Sequence, residues 1–347
     1  MAISYKSIKL QRLLPPGDPA GAWEIVTGMG LHEIGLGARE PATRQTGRGP
    51  GSPAPSRALG STGQTARETA ENAPGDGPSA RPKARPYTVM NMVATADGRA
   101  TLDGRSGPLS GEADRAMFHA LRTVVDAVMA GAGTVRTERY GPIVRDPERR
   151  QARVELGLAE RPLACIVSAS LDLPPDLPLL ADPESRVAIL TPSSGRLPGS
   201  DTGAVANAGA VANAGAVANA GATANAGAVA AELEYIRPRR ADGSLDLRAA
   251  MAELQDRLQV RTLLCEGGPH LNGELLANGL VDELFLSLSP LLAGGDPSPT
   301  PAGGRVPPTR ILAGKELRPA AQLELKAVLE YDSQLFLRYG VRAEPRG

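Results

Sequence analysis

The chain is poor in the residues that signal a secreted or metal-binding protein. It has two cysteines and three histidines among 347 residues, and neither cysteine has a second thiol or a histidine at metal-ligand spacing. Cys165 and Cys265 both lie in apolar, strand-like runs, so we expect them to be buried and reduced. The sequence therefore predicts a cytoplasmic protein without disulfides and without a metal site.

An excess of charge of one sign is also lacking. Lysine and arginine together number 38, as do aspartate and glutamate, which gives no electrostatic support for binding nucleic acid or an anionic membrane. No apolar run approaches the roughly 18 residues that a membrane span needs, and the N-terminal sequence lacks the apolar core of a signal peptide. We expect neither nucleic acid nor a membrane as a partner.

Large apolar side chains are almost absent from two segments. Residues 36–85 are rich in Gly, Pro, Ser and Ala and cannot bury enough surface to offset their ordering entropy, so they are predicted to be disordered. Residues 203–230 repeat the hexapeptide Gly-Ala-Val-Ala-Asn-Ala. Because this repeat has too few large side chains to fill a β-helix, its composition favours a flexible surface insertion over an ordered arm.

The remaining sequence alternates between strand and helix patterns. Strands are predicted at 85–96, 126–135, 161–168, 185–191, 260–268, 281–290, 321–332 and 333–340, and helices at 110–124, 246–258 and 270–279. Such alternation is typical of an α/β fold with a central, mostly parallel sheet flanked by helices. The last two strands are expected to form an antiparallel pair at the C-terminal edge of that sheet.

Two glycine-bearing loops follow apolar strands, "AGAGTVRTERYG" at 130–141 and "EGGPHLNG" at 266–273. Ligands of such sheets bind beyond the carboxyl ends of the strands, so two loops at one sheet edge would hold a single extended, phosphate-bearing ligand. Either loop alone is explained by a plain turn into the next helix. The first loop lacks the third glycine of the dinucleotide fingerprint.

The order of the motifs is more specific than any one of them. The stretches "NMVATADGR", "GRSGPLSGEAD", "AGAGTVRTERYGP" and "LLCEGGPHLNGELL" together resemble the C-terminal reductase domain of bacterial riboflavin biosynthesis proteins, in its single-function branch. This resemblance implies a dihydrofolate-reductase-like domain over residues 86–340, interrupted by the 203–230 insertion. Residues 1–35 are then a short leader, in which "RLLPP" at 12–16 is similar to that of the branch.

The resemblance implies an NADPH-dependent reduction. Its substrate would be 2,5-diamino-6-ribosylamino-4(3H)-pyrimidinone 5′-phosphate, reduced to the ribitylamino compound, although the corresponding uracil stays open as the substrate. Hydride transfer is the chemistry of the cofactor, so the protein must align the two ligands and exclude water. A dihydrofolate- or pterin-type reductase and a non-catalytic NADP-binding module are the alternatives. The family commonly pairs, which implies a homodimer.

The resemblance also assigns residues to the cofactor. The glycines are expected to let backbone amides approach the pyrophosphate, at the beginning of a helix whose dipole favours an anion. Selection of NADPH over NADH would fall to donors near the 2′-phosphate, among which Ser168, Ser170 and Arg136 are available. The cofactor-binding residues are predicted to be Ala94, Gly131, Gly133, Thr134, Ser168, Gly267, Gly268, Pro269, His270 and Leu271.

On the substrate side the resemblance implies contacts from Ser106, Ser110, Arg122 and Glu266, and catalytic roles for Asp97 and Glu266. Three of these residues have simpler alternatives. Asp97 is also explained as a turn carboxylate, Ser110 as the cap of the following helix, and Arg122 as a solvated cation at a helix end.

Overall fold

The computed structural model describes residues 8–14, 16–34, 85–200, 229–295, 298–299, 305–306, 309–314 and 316–342. Of the segment predicted to be disordered, only Arg85 falls within these ranges. Of the predicted insertion, residues 229–230 do. The rest of both segments lies outside the described residues.

Thirteen strands and six α-helices are formed within the described ranges, and eleven of the strands belong to one sheet in the order β2-β1-β12-β13-β9-β3-β8-β4-β5-β6-β7. The strands are β1 Leu10–Leu14, β2 Pro16–Ala20, β3 Tyr87–Thr95, β4 Ala127–Gly131, β5 Leu163–Val167, β6 Arg186–Leu190, β7 Glu232–Ile236, β8 Thr262–Cys265, β9 Glu283–Ser289, β10 Ser298–Pro299, β11 Arg305–Val306, β12 Leu323–Tyr331 and β13 Gln334–Val341. The helices are α1 Ala22–Thr27, α2 Glu112–Thr123, α3 Ala132–Thr137, α4 Pro147–Glu155, α5 Leu247–Leu258 and α6 Pro269–Ala277.

The central part of the sheet is parallel. Strand β3 pairs in parallel with β8 on one side and with β9 on the other, and β8 continues through β4 to β5, β6 and β7. The strands β4, β5 and β6 are buried over four consecutive residues each, as expected for parallel strands that are covered on both faces. The predicted α/β fold with a mostly parallel sheet is confirmed.

Side chains of successive strand residues pack into two separate cores. Val89 and Leu264 belong to the core that includes Met117 of α2, whereas the neighbouring Met90 and Cys265 belong to the core that includes Leu254 of α5. Because successive residues of a strand point to opposite faces, helices cover the sheet on both sides. Three layers result, with the carboxyl ends of β3, β8 and β4 side by side.

The antiparallel strands lie beyond β9. Strands β12 and β13 form the predicted pair, but the expectation that this pair is the edge of the sheet is wrong. Strand β1 pairs with β12 and carries β2 outside it, and helix α1 packs on α2. Leu10 and Leu31 are buried. The part of the predicted leader that the structure describes is therefore folded onto the domain.

Both cysteines are free and buried, as predicted. Burial raises the pKa of the Cys265 thiol to about 12 and that of Cys165 well above its usual value. Neither thiol forms a thiolate near neutral pH, which is consistent with a packing role.

The described residues on the two sides of the repeat, 199–200 and 229–231, lie next to each other. The amide of Val229 donates a hydrogen bond to the carbonyl of Gly199 (3.3 Å), and the amides of Ala230 and Ala231 both donate to Leu180. The chain therefore leaves the domain and returns to it at one point of its surface.

This geometry gives the first testable prediction. Replacing residues 201–228 with one glycine would turn the Gly199–Val229 bond into the closing bond of a four-residue β-turn. The replaced segment offers little apolar surface to a core, so we expect the free energy of unfolding to change by less than about 0.5 kcal/mol and turnover to stay the same. Urea denaturation and steady-state assays would measure both, and a large fall in either would contradict the prediction.

Candidate active site

A cleft of about 950 Å³ opens at the carboxyl ends of β3, β4 and β8. It brings together most of the residues that the sequence singles out. The predicted site residues that line it are Ser106, Ser110, Arg122, Gly131, Gly133, Thr134, Glu266, Gly267, Gly268, Pro269, His270 and Leu271. Their roles toward a substrate or a cofactor remain predictions.

A buried ion pair forms one wall of the cleft. Arg122, near the C-terminus of α2, donates from Nε and Nη2 to the two carboxylate oxygens of Glu266, directly after β8 (2.6 and 2.7 Å). The hydroxyl of Tyr140 donates to the same carboxylate (2.7 Å). The side chains of Arg122 and Glu266 are 11% and 3% exposed, so the pair is shielded from water and held in a bidentate geometry.

The remaining surface of the Arg122 guanidinium is also occupied. Nη1 donates to the carbonyl of Ile143 (3.2 Å), and the guanidinium carbon lies 4.1 Å from the centre of the Phe118 ring, a cation–π distance. Burial disfavours the charge, but the carboxylate of Glu266 outweighs that effect and raises the pKa of Arg122. Arg122 is thus no solvated helix-end cation, because its donors are used within the protein.

The second wall consists of the two glycine loops. The amide of Gly131 donates to the carbonyl of Gly267 (2.7 Å), and a Cβ on Gly268 would lie 2.8 Å from the hydroxyl oxygen of Thr134. Gly267 has a φ of 89°, in the region that favours glycine, and Gly268 is the N-cap of α6. The two loops form one continuous surface of backbone, which we call the glycine cradle (residues 131–134 and 267–271).

One glycine of the cradle faces open space. A Cβ on Gly133 would meet no protein atom within 4 Å, although Gly133 lines the cleft. The absence of a side chain at this position therefore serves no packing need of the protein. It leaves room for a ligand to approach the backbone, as a pyrophosphate requires.

The buried residue Asn272 connects the glycine cradle to residues 309–314. Its amide nitrogen donates to the carbonyl of Ile311 (2.8 Å), and the amide of Ala313 donates to the carbonyl of Pro269 (3.0 Å). Residues 309–314 are thereby held against the beginning of α6. Asn272 falls in the loop 266–273 and in the helix predicted at 270–279, but the sequence predicted no role for this side chain of its own.

At the other end of the cleft, Glu138 holds the loop that precedes α2. Its carboxylate accepts hydrogen bonds from the amide and the hydroxyl of Ser106 (3.2 and 3.1 Å). The interpretation of Ser110 as a helix cap is wrong, because the N-cap of α2 is Gly111 and no side chain caps it. Ser110 is left to face the cleft.

Three predicted site residues do not line the cleft. The carboxylate of Asp97 accepts hydrogen bonds from Thr95 Oγ1 (2.5 Å), the Gly294 amide (2.6 Å) and the Ala293 amide (3.2 Å). The Thr95 bond and these amides lower the pKa of Asp97 to about 2. The carboxyl is therefore ionised and poorly suited to supply a proton, which favours its interpretation as a turn carboxylate.

Ala94 and Ser168 are the other two. Ala94 is buried within β3, while its neighbour Val93 lines the cleft. Ser168 is also buried, and its hydroxyl accepts a hydrogen bond from the amide of Leu171 (3.0 Å). Arg136 pairs with Asp172 (3.3 Å). The structure does not bring Ser168 to the cleft, so its contact with an adenosine phosphate remains a prediction.

The cleft also contains residues that sequence reasoning gave no role there: Asp114, Phe118, His119 and Tyr140. Burial, together with the charges of Arg149 and Arg122, lowers the pKa of His119 to about 4, so its imidazole is neutral at pH 7. Burial and the charge of Glu266 raise the pKa of Tyr140 well above its usual value. Tyr140 is hence a permanent hydrogen-bond donor to that carboxylate.

Within the described ranges, no group of three or more His, Cys, Asp or Glu side chains could hold a metal ion. In the same ranges, no helix is both long and apolar enough to cross a membrane.

A cleft at the carboxyl ends of parallel strands, with glycine loops and a helix N-terminus on one wall, is typical of nucleotide-binding α/β proteins. The family can be stated more closely. Residues 86–337 match the family described as the RibD C-terminal domain, and the chain belongs to it.

Similar proteins include the 2,5-diamino-6-ribosylamino-4(3H)-pyrimidinone 5′-phosphate reductase of Methanothermobacter thermautotrophicus. It is 26% identical over 258 residues, which are 74% of this chain and 99% of that protein. The enzyme of the same name from Aquifex aeolicus is 25% identical over 262 residues, 74% of this chain and 97% of that protein.

Solved structures agree with the fold. A pyrimidine reductase-like protein from Corynebacterium diphtheriae is 21% identical and superposes with a TM-score of 0.54, over 75% of this chain and 93% of that one. RibD from Acinetobacter baumannii is 19% identical with a TM-score of 0.51, over 75% of this chain and 58% of that one.

The buried pair gives the second testable prediction. Glu266→Gln leaves the guanidinium of Arg122 buried without a counter-charge, which we expect to lower the free energy of unfolding by about 3–5 kcal/mol. Tyr140→Phe removes a single hydrogen bond to the carboxylate and should cost less, about 1.5–3 kcal/mol.

Urea denaturation of both variants would test this order. If Glu266→Gln were as stable as the unmodified protein, the carboxylate would be a strand-end turn residue and not the partner on which Arg122 depends.

Proposed function

We propose that this chain is an NADPH-dependent reductase that converts 2,5-diamino-6-ribosylamino-4(3H)-pyrimidinone 5′-phosphate to its ribitylamino form in riboflavin biosynthesis. The observation that carries the proposal is the pairing, within one cleft of a RibD C-terminal domain, of a glycine cradle with a wall of buried polar side chains. Relatives of nearly the same length as the matched region are named as reductases of this pyrimidinone phosphate.

In the proposed reaction, the ring-opened sugar presents an imine carbon at C1′. When bound, NADPH would supply a hydride for that carbon and be oxidised to NADP⁺, and the imine nitrogen would gain a proton, which would give the ribitylamine. The protein's own contribution is to hold the two reacting groups in contact and to keep water out.

The glycine cradle fits the cofactor. Its backbone amides and the N-terminus of the nine-residue helix α6 would bind the pyrophosphate, and the open face of Gly133 leaves room for it. Thr134 and His270 line the same wall and would supply side-chain contacts.

The opposite wall fits the phosphorylated substrate. Since Arg122 is buried against Glu266, the more exposed cations that line the cleft would hold the phosphate, namely Arg115, Arg139, Arg145 and Arg149. Arg122 and Glu266, whose ion pair forms this wall, would be the fixed surface against which the substrate is positioned.

The third testable prediction concerns activity and the cofactor. Purified protein should oxidise NADPH in the presence of the pyrimidinone phosphate and not with dihydrofolate, and it should bind NADPH at least several-fold more tightly than NADH. Gly133→Val should raise the KM for NADPH with little change in melting temperature, because a Cβ at this position meets no protein atom beyond its own helix within 4 Å.

Steady-state kinetics, fluorescence titration and thermal melting measure these quantities. If the protein reduced dihydrofolate and not the pyrimidinone phosphate, the substrate would be of the pterin type and the proposed substrate would be wrong. If Gly133→Val had an unchanged KM for NADPH, the proposal that the cofactor binds at the glycine cradle would be wrong.

We further propose that the protein is a cytoplasmic homodimer. The free, buried state of both cysteines supports a reducing location. Leu323 and Leu325 of β12 are 42% and 41% exposed, and both lie on one face of the sheet because they are two residues apart. Their partners in β13 are Val341 and Tyr339, so this face carries an apolar strip that favours association.

The fourth testable prediction follows from that strip. Light scattering at micromolar concentration should give the mass of a dimer, and Leu325→Lys should shift the mass toward the monomer because it places a charge within the strip. A monomer for the unmodified protein would contradict the proposal.

A further inference from the structure

One face of α2 forms a row of side chains along the cleft. Asp114, Phe118 and Arg122 are four residues apart and all line the cleft, as helix geometry requires for residues on one face. Arg122 closes the row at the end where Glu266 lies. Asp114 closes it at the other end, next to Ser110.

Asp114 differs from the other carboxylates that line the cleft. Glu266 is bound to Arg122, Asp146 pairs with Arg149 (3.4 Å), and Glu138 accepts from Ser106. The Asp114 residue is only 7% exposed. The neighbours that favour its ionised form are the hydroxyls of Ser110 and Ser287 and the charge of Arg115, but burial prevails and raises its pKa.

The two hydroxyl neighbours are too few to occupy every acceptor site of the Asp114 carboxylate. The Ser287 oxygen is buried and makes no hydrogen bond of good geometry with the described residues, so it lies beside the carboxyl without saturating it. A carboxylate offers about four lone-pair directions on two oxygens. The hydroxyls of Ser110 and Ser287 can occupy at most two of these directions, which leaves two for a ligand in the cleft.

A carboxylate in this position would distinguish a 2-aminopyrimidinone ring from a uracil ring by the hydrogen-bonding groups along one edge of each ring. A 2-amino-4-oxopyrimidine presents two adjacent N–H donors, from N3 and from the 2-amino group, which match the two oxygens of a carboxylate. A uracil presents a carbonyl oxygen at C2 instead, so that one carboxylate oxygen would face another acceptor. In a buried site such a mismatch leaves polar groups unpaired and is strongly rejected.

We infer that Asp114 is the residue that selects the 2-aminopyrimidinone ring over the corresponding uracil. This inference rests on the proposed function. Phe118, next in the row, would pack against the ring that Asp114 orients.

The test compares two substrates and two proteins. We expect the unmodified protein to favour the pyrimidinone phosphate over the corresponding 5-aminouracil phosphate by about tenfold or more in kcat/KM, since hydrogen bonds to a charged group differ by that much when one partner is wrong. Asp114→Asn offers one acceptor and one donor, which match N3–H and the C2 carbonyl of the uracil. It should lower the preference at least about tenfold, mainly through KM.

Glu112→Gln is the matched control. It makes the same change of charge and shape two residues earlier on α2, at a position that does not line the cleft, and should leave the ratio of the two substrates unchanged. Thermal melting would check that Asp114→Asn is folded. We expect it to be at least as stable as the unmodified protein, because it removes a buried charge.

The outcomes separate the inference from the proposed function. If the unmodified protein reduces neither substrate, the proposed function itself fails. If it reduces both equally well, or prefers the uracil, the function stands and the inference is wrong. If it prefers the pyrimidinone but folded Asp114→Asn keeps that preference, another residue makes the selection.

Discussion

The buried ion pair between Arg122 and Glu266 holds helix α2 against the carboxyl end of β8, where the glycine cradle begins. It joins a helix on one face of the sheet to the end of a central strand, and Tyr140 adds the region after α3 to the same carboxylate. A buried pair of this kind is tolerated only when each donor and acceptor is satisfied. Ile143 and Phe118 complete the surroundings of the guanidinium, which explains why so many segments converge there.

A second buried arginine stabilises the helix that carries the first. Arg153 of α4 is 0% exposed and donates from Nη1 to the carbonyls of Arg122, Thr123 and Val125 (3.1, 3.1 and 2.7 Å). These are carbonyls at the end of α2, where a cation also complements the helix dipole. Burial lowers the pKa of Arg153 to about 10, so it is still charged at neutral pH. Arg153 thereby fixes the backbone of α2 where the side chain of Arg122 leaves it.

The parallel part of the sheet was predictable because its strands and helices have strong periodic patterns. The leader was not, since β2 has the sequence "PGDPA", and prolines and glycine argue against a strand. Its place is set by pairing with β12, which is more than 300 residues away in the chain. Helix α4 carried a signal that could have revealed it, an Asp146 cap followed by Pro147.

The glycine cradle was predictable for a similar reason, because glycines after strands mark the loops without any knowledge of their contacts. The roles of Asp97 and Asp114 were not. Asp97 stands in a motif that the resemblance associates with the substrate, yet its carboxylate is used by Thr95 and by amides nearly two hundred residues away. Asp114 lies in the first turn of α2, where an acidic residue is ordinarily explained by the helix dipole. Only the tertiary structure shows that it is buried.

The two walls of the cleft differ because the groups they would bind differ. A pyrophosphate carries charge on all sides and is held best by many amides at close range, which requires backbone without side chains. A pyrimidine ring is flat and differs from its analogues only along its edges, so its recognition requires side chains of fixed orientation. We propose that the glycine cradle meets the first requirement through Gly133 and its neighbours. Side chains of helix α2, which is fixed at its end by Glu266 and Arg153, would meet the second.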